Sequence, residues 1–174
     1  MSGGISSLRC SRTVMATLGL SLVPMVVVGG STTSIVTSTA TVLPTCRALT
    51  VQPMSFGSYN FAAVDTVASA TFTVQCSASA SISVALDRGV SAGSSITSRR
   101  MSDGRGNTLS YQLYTAADRL NIWGDGSAGS TTITALGRGL DSTLLFTVYG
   151  VIPAGQSTAV PGQYSDTITI TLTY

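Results

Sequence analysis

Apolar and polar positions alternate along much of this chain, and the period is two. The clearest case is the last stretch, "VPGQYSDTITITLTY". There Ile168, Ile170, Leu172 and Tyr174 fall on one side, and Thr167, Thr169, Thr171 and Thr173 on the other. Successive side chains of a strand point to opposite faces, so this spacing predicts a strand with one buried face. "ASATFTVQC" places Phe72, Val74 and Cys76 on one face, and "SISVALD" does the same with Ile82, Val84 and Leu86. "TLSYQLY" alternates through Leu109, Tyr111 and Leu113, and "TTITAL" and "STLLFTVYG" supply two more strands. "RALTVQPMSFGSYN" reads as a short strand and a turn through Gly57. Asp87-Arg88-Gly89, a Gly-rich loop around Trp123 and the connection "VIPAGQSTAVPGQ" separate these runs. About seven or eight short strands with closely spaced turn signals predict an all-β sandwich or barrel in one domain.

Two segments stand outside this pattern. Residues 31–44, "STTSIVTSTATVLP", are rich in Thr and Ser and contain neither Gly nor a charge. They read as a strand-forming arm ahead of Cys46. In this arm Val36, Ala40 and Val42 share one side, alternating through Thr37, Thr39 and Thr41, while Ile35 and Leu43 face the other. We take the even set as the apolar face. Residues 1–30 carry Arg9 and Arg12, then an apolar run from Val14 to Val28, then Gly29 and Gly30. A basic region, a hydrophobic region and a small-residue exit predict a secretory signal peptide cleaved near Gly30. A membrane anchor is the alternative; the run is shorter than the ~20 residues of a bilayer span, and Pro24 interrupts it. On the signal-peptide reading the mature chain is exported.

Composition sharpens the β reading. Only 9% of residues are charged and 44% are hydrophobic, and the net charge of +2 comes from nine Arg and seven Asp, with no Lys, Glu or His. Helix surfaces are usually built from the missing residues, whereas the Thr, Ser and Gly that remain favour strands and turns. Export leaves Cys46 and Cys76, an even pair that predicts a disulfide; buried free thiols are the alternative.

Candidate chemistry is sparse. There is no histidine to move protons near neutral pH, no third cysteine for a zinc site, and no Ser in a G-x-S-x-G turn. "DGRGNT" (103–108) lacks the spaced acidic ligands of a calcium loop, so Asp103 reads as a turn residue. "WGDG" reads as Trp123 anchoring a core or edge beside a tight turn. Arg99, Arg100 and Arg105 read as a solvated strand edge, or an ion pair with Asp103, rather than a nucleic-acid patch. The expectation is a protein with no catalytic, cofactor or metal site.

Several of these pieces, in order, resemble a known family. They are a cysteine soon followed by "FGSY" (56–59), the strand ending at Cys76, "RRM" (99–101), "LSYQLY" (109–114), "WGDG", "VYGVIPAGQ" (148–156) and "GQYSDTITITLTY" (162–174). Together they look like the spore coat protein U domain, shared with subunits of archaic chaperone–usher pili. The resemblance covers nearly all of residues 46–174. It implies an incomplete immunoglobulin-like β-sandwich lacking its final strand, with an open groove that a periplasmic chaperone and then the arm of the next subunit would fill. On that reading the domain spans 45–174, with Ile168, Ile170, Leu172 and Tyr174 lining the groove, and residues 31–44 are the donor-strand arm. The partners implied are other subunits, the chaperone and an outer-membrane usher, with no nucleic acid or small-molecule substrate. The place implied is the cell surface, reached through the periplasm, or the medium. A secreted coat-type protein of the same family and an exported carbohydrate-binding β domain are the competing readings.

Overall fold

The computed structural model describes residues 30–60 and 64–174. The expected leader, save Gly30, lies outside the described residues. The chain divides into two compact units, 1–40 and 41–174. In the first, residues 30–40 form neither helix nor strand and are exposed.

The second unit is all-β. Eight strands occur among the described residues. They are β1 (Cys46–Val51), β2 (Thr66–Cys76), β3 (Ser81–Leu86), β4 (Arg99–Ser102), β5 (Thr108–Tyr114), β6 (Ile133–Leu136), β7 (Leu144–Ile152) and β8 (Ile170–Thr173). Of these, β2, β3, β5, β6 and β7 coincide with alternating runs. One sheet has the order β1-β2-β7-β5-β4 and the other β6-β3-β8, with every named pair antiparallel. The inward side chains of both sheets meet in one core, as in an immunoglobulin-like sandwich. Phe72 and Phe146 are partners in the β2–β7 register and stack at 5.2 Å between centroids; Trp123 packs on both rings. Trp123 is fully buried, and its indole N–H donates to the Val84 carbonyl at 3.0 Å.

The Cys46–Cys76 disulfide is present. It joins the first residue of β1 to the last of β2, which are also register partners. Closing a loop with a separation of 30 residues stabilises by roughly 3–4 kcal/mol in the chain-entropy model.

Two expectations need correction. The terminal strand is shorter than the alternation suggests: β8 begins at Ile170, and Thr167 and Thr169 belong to no strand. The segment instead crosses between sheets. Ser165 pairs with Ser102 at the end of β4, and from Ile170 the chain pairs with β3. A crossing chain keeps its two-residue rhythm but cannot hold a ladder with either sheet. The other correction is Arg99, which is not a solvated edge residue. It has no exposed surface, because its place in β4 puts it on the same inward face as Met101. Its guanidinium donates to the Asp87 carbonyl at 2.9 and 2.7 Å, the Trp123 carbonyl at 2.8 Å and Gln112 Oε1 at 2.5 Å. Asp103, for its part, accepts from the Arg105 and Asn107 backbone N–H groups and the Asn107 side chain, as a turn residue does.

Arg99 therefore ties β4 to the end of β3 and to the Trp123 loop. Burial pulls its pKa down, and the nearby negative groups hold it charged. Arg99→Leu leaves the Asp87 and Trp123 carbonyls without their donor, at about 1–3 kcal/mol each, while Gln112 Oε1 keeps the Leu113 N–H. Urea unfolding of the disulfide-intact domain should lose about 2–6 kcal/mol with this substitution. An unchanged midpoint would show that the arginine is replaceable.

Candidate functional site: an open apolar groove

Each strand of the core buries one face, yet the sandwich is not closed all round. A groove of about 910 Å³ runs between residues 51–59 and residues 159–170. Its floor is core: Phe72, Leu86, Met101, Leu109, Tyr111, Leu113, Val148 and Ile152. These floor side chains keep 8% or less of their surface exposed, so the apolar area facing water lies mainly on the walls. β8 begins at the end of one wall, which it joins at Ile170, and its hydrogen-bonded neighbour among the described residues is β3 alone, so its other edge is unpaired. An unpaired edge beside an apolar trough is a template for an added strand.

The wall formed by 159–170 alternates in burial. Tyr164, Asp166, Ile168 and Ile170 are half-buried and line the groove, while Ser165, Thr167 and Thr169 are exposed. Of the four expected groove residues, Ile168 and Ile170 line it. Leu172 packs on the core beyond its lining, and Tyr174 is 54% exposed. The arm residues Val36, Ala40 and Val42 are exposed, at 88% for Val36 and 89% for Val42.

Asp166 holds this wall in place. Its carboxylate accepts from Tyr111 Oη at 2.7 Å, from the Val90 and Ser91 backbone N–H groups at 3.0 and 3.2 Å, and from Ser91 Oγ at 3.2 Å. Burial, and then the bond to Asp166, push the Tyr111 phenol far above its ordinary pKa, so it stays a donor. Gly89 makes room for this: a Cβ there would collide with the Asp166 carboxylate, and its φ of +85° disfavours any side chain. Asp87 grips the strand one step later, with its backbone N–H donating to the Thr169 carbonyl and its Oδ1 accepting from the Thr169 N–H at 3.0 Å.

The facing wall, 52–59, was not singled out by periodicity, although Met54 and Phe56 stand two apart and both pack on the core. Gly150 of β7 permits their approach, since a Cβ there would collide with Met54 Sδ and the Phe56 ring. Tyr59 Oη donates to the Pro153 carbonyl and accepts from the Gln156 N–H, both at 3.0 Å. The Gln156 amide in turn bonds the Ser110 backbone in both directions, at 2.8 and 2.9 Å. Both walls are thus fastened by hydrogen bonds.

The model of the Spore Coat Protein U domain matches residues 32–171, most of the chain. This chain belongs to that family. Among curated relatives of this spore coat U domain protein is Protein U of Myxococcus xanthus, 34% identical over 133 residues, which are 70% of this chain and 71% of the relative. Among solved structures, it resembles a chain of the CsuC–CsuE chaperone–tip adhesion subunit pre-assembly complex from archaic chaperone–usher Csu pili of Acinetobacter baumannii. The TM-score is 0.56 at 22% identity, over 77% of this chain and 41% of the other. The likeness is one of fold, and the spore coat U domain protein spans about two fifths of that chain.

The Asp87 grip has a pH signature. Burial raises its pKa, but the Thr169 and Gly89 hydrogen bonds and the Arg99 charge outweigh it, so the carboxyl ends below its ordinary value of 3.8. A depressed carboxyl stabilises the fold above the unfolded-state pKa, and that contribution disappears as the pH falls through the folded-state value. Protection of the Thr169 amide from hydrogen exchange, relative to the free-chain rate at the same pH, should therefore fall in acid, below about pH 4. In Asp87→Asn, exchange should be faster at neutral pH and lose that acid step; a wild-type profile in the variant would disprove the grip.

Proposed function

We propose that this protein is a structural subunit of a surface pilus, assembled by the chaperone–usher pathway through donor-strand complementation and serving adhesion and biofilm formation. One observation carries the reading: a β-sandwich of this family leaves an apolar groove beside an unpaired strand edge. A strand laid there would bond β8 through its backbone and bury alternate side chains on the core floor, worth about 1.5–3 kcal/mol for each large apolar residue. Residues 31–44 have the length and character to be that strand for another copy, with Val36, Ala40 and Val42 inward. A periplasmic chaperone would occupy the groove first, and an outer-membrane usher would direct the exchange. Export through the periplasm follows from the leader.

A secreted coat of the same building block is the second reading, favoured by the description of the family as a Spore Coat Protein U domain. Electron microscopy of cells expressing the gene with its neighbours separates the two, since fibres support the pilus and an amorphous layer supports the coat.

Appending a copy of residues 31–44 after Tyr174 through a flexible linker should give a soluble, heat-resistant monomer, whereas the mature chain alone in the periplasm should aggregate or be degraded. A stable, cooperatively unfolding monomer without the added strand would contradict the proposal. Within the arm, Val42→Asp should block assembly, because it carries an unpaired carboxylate into an apolar groove at a cost of several kcal/mol. Thr41→Asp points to solvent and should assemble. Both variants should still co-purify with the chaperone. Equal assembly of the two would overturn the even register.

A further inference from the structure

On the donor-strand reading, which this inference requires, tension along a fibre enters each domain through its arm. The entry point is Thr45–Cys46. Thr45 N–H donates to Ser77 Oγ at 3.0 Å, and its carbonyl accepts from Ser77 N–H at 2.9 Å. Next comes the first ladder pair, Cys46 with Cys76, and then β1 runs on to Val51.

This is a weak geometry for bearing load. β1 is an edge strand whose ladder neighbour is β2, and its register slips between Ala48 and Thr50. The bonds between β1 and β2 run perpendicular to the strands, so the part of a pull on the start of β1 that acts across the ladder falls first on its first pair. β2 itself is far better held, paired with β7 from Thr66↔Ile152 to Val74↔Leu144.

We propose that the Cys46–Cys76 disulfide is a force clamp, passing tension from the arm straight into β2 and so bypassing the edge strand. Its position carries the inference. A bridge at the far end of the same ladder would close a loop of similar size, and loop-closure stabilisation changes only slowly with loop length. Such a bridge would leave β1 free to peel from the end where the arm pulls. A bridge at the first pair stops peeling before it begins. β1 also leads directly into 52–59, so peeling would next strip a wall from the groove that holds the neighbouring strand.

The test needs no second subunit. The mature chain, completed by a copy of residues 31–44 linked after Tyr174, is held in optical tweezers by a peptide tag on its own arm and another inserted after Ser157, and is pulled oxidised and then after reduction of the same folded molecule. Oxidised protein should resist until the whole domain yields. Reduced protein should show an earlier step at about half that force or less, as a few ladder bonds give way in turn. Its full extension should grow by about 100 Å as the 30-residue loop is freed. A first yield at the same force in both states would overturn the clamp, even with the added extension. Cys46→Ser/Cys76→Ser, if it folds, should repeat the reduced trace. Failure of the arm variants to alter assembly would instead reject the donor-strand reading, and with it the fibre tension that the clamp would carry, whatever the tweezers trace.

Discussion

An apolar groove running alongside the core is the constraint around which this molecule is arranged. Phe72, Leu86, Tyr111, Leu113, Val148 and Ile152 belong to the interior, yet they also floor a groove open to solvent. Beside it, β8 keeps one edge unpaired. Sheet proteins ordinarily blunt or cover such edges, because an exposed apolar edge invites another chain. In this domain the charged residues that could blunt the edge are scarce, and Thr and Ile take their place. The strand addition proposed above would account for the groove and the unpaired edge together.

A groove of this kind must resist collapse, and polar bonds supply the stiffness. Asp166 ties one wall to Tyr111 and to the 90–91 turn, and Asp87 takes over at Thr169. Tyr59 and Gln156 tie the other wall to β5 and the end of β7. Arg99 links β4, the end of β3 and the Trp123 loop behind the floor. Hydrogen bonds are directional where apolar contacts are not, so they can hold walls apart over a floor that would favour closing. Glycines 89 and 150 supply the clearance, one for a carboxylate and one for Met54 and Phe56.

How much of this is legible in the sequence depends on what period two can report. It locates β2, β3, β5, β6 and β7 because each has one wet and one dry face, and it places Phe72, Val74, Ile82, Val84 and Leu113 inward. It does not say which element lies alongside, so the terminal run reads as one long strand when part of it only crosses between sheets. Charge misleads at Arg99, although its spacing of two from Met101 marks the inward face. Met54 and Phe56 share that spacing, yet Gly57 and the lack of further alternation make the wall look like a turn. Asp166 stands in the inward rhythm of Tyr164, Ile168 and Ile170, and its partners Ser91 and Tyr111 are too distant in sequence for any local pattern to reveal.

The central claim is that a strand from another copy completes this sandwich. Cryo-electron microscopy of the native assembly tests it most directly, by tracing what lies in the groove. The account expects a strand from residues 31–44 of a neighbouring copy, about 4.8 Å from the free edge of β8, with Val36, Ala40 and Val42 over the floor. An assembly whose grooves hold solvent, or whose subunits meet only through other faces, would contradict it.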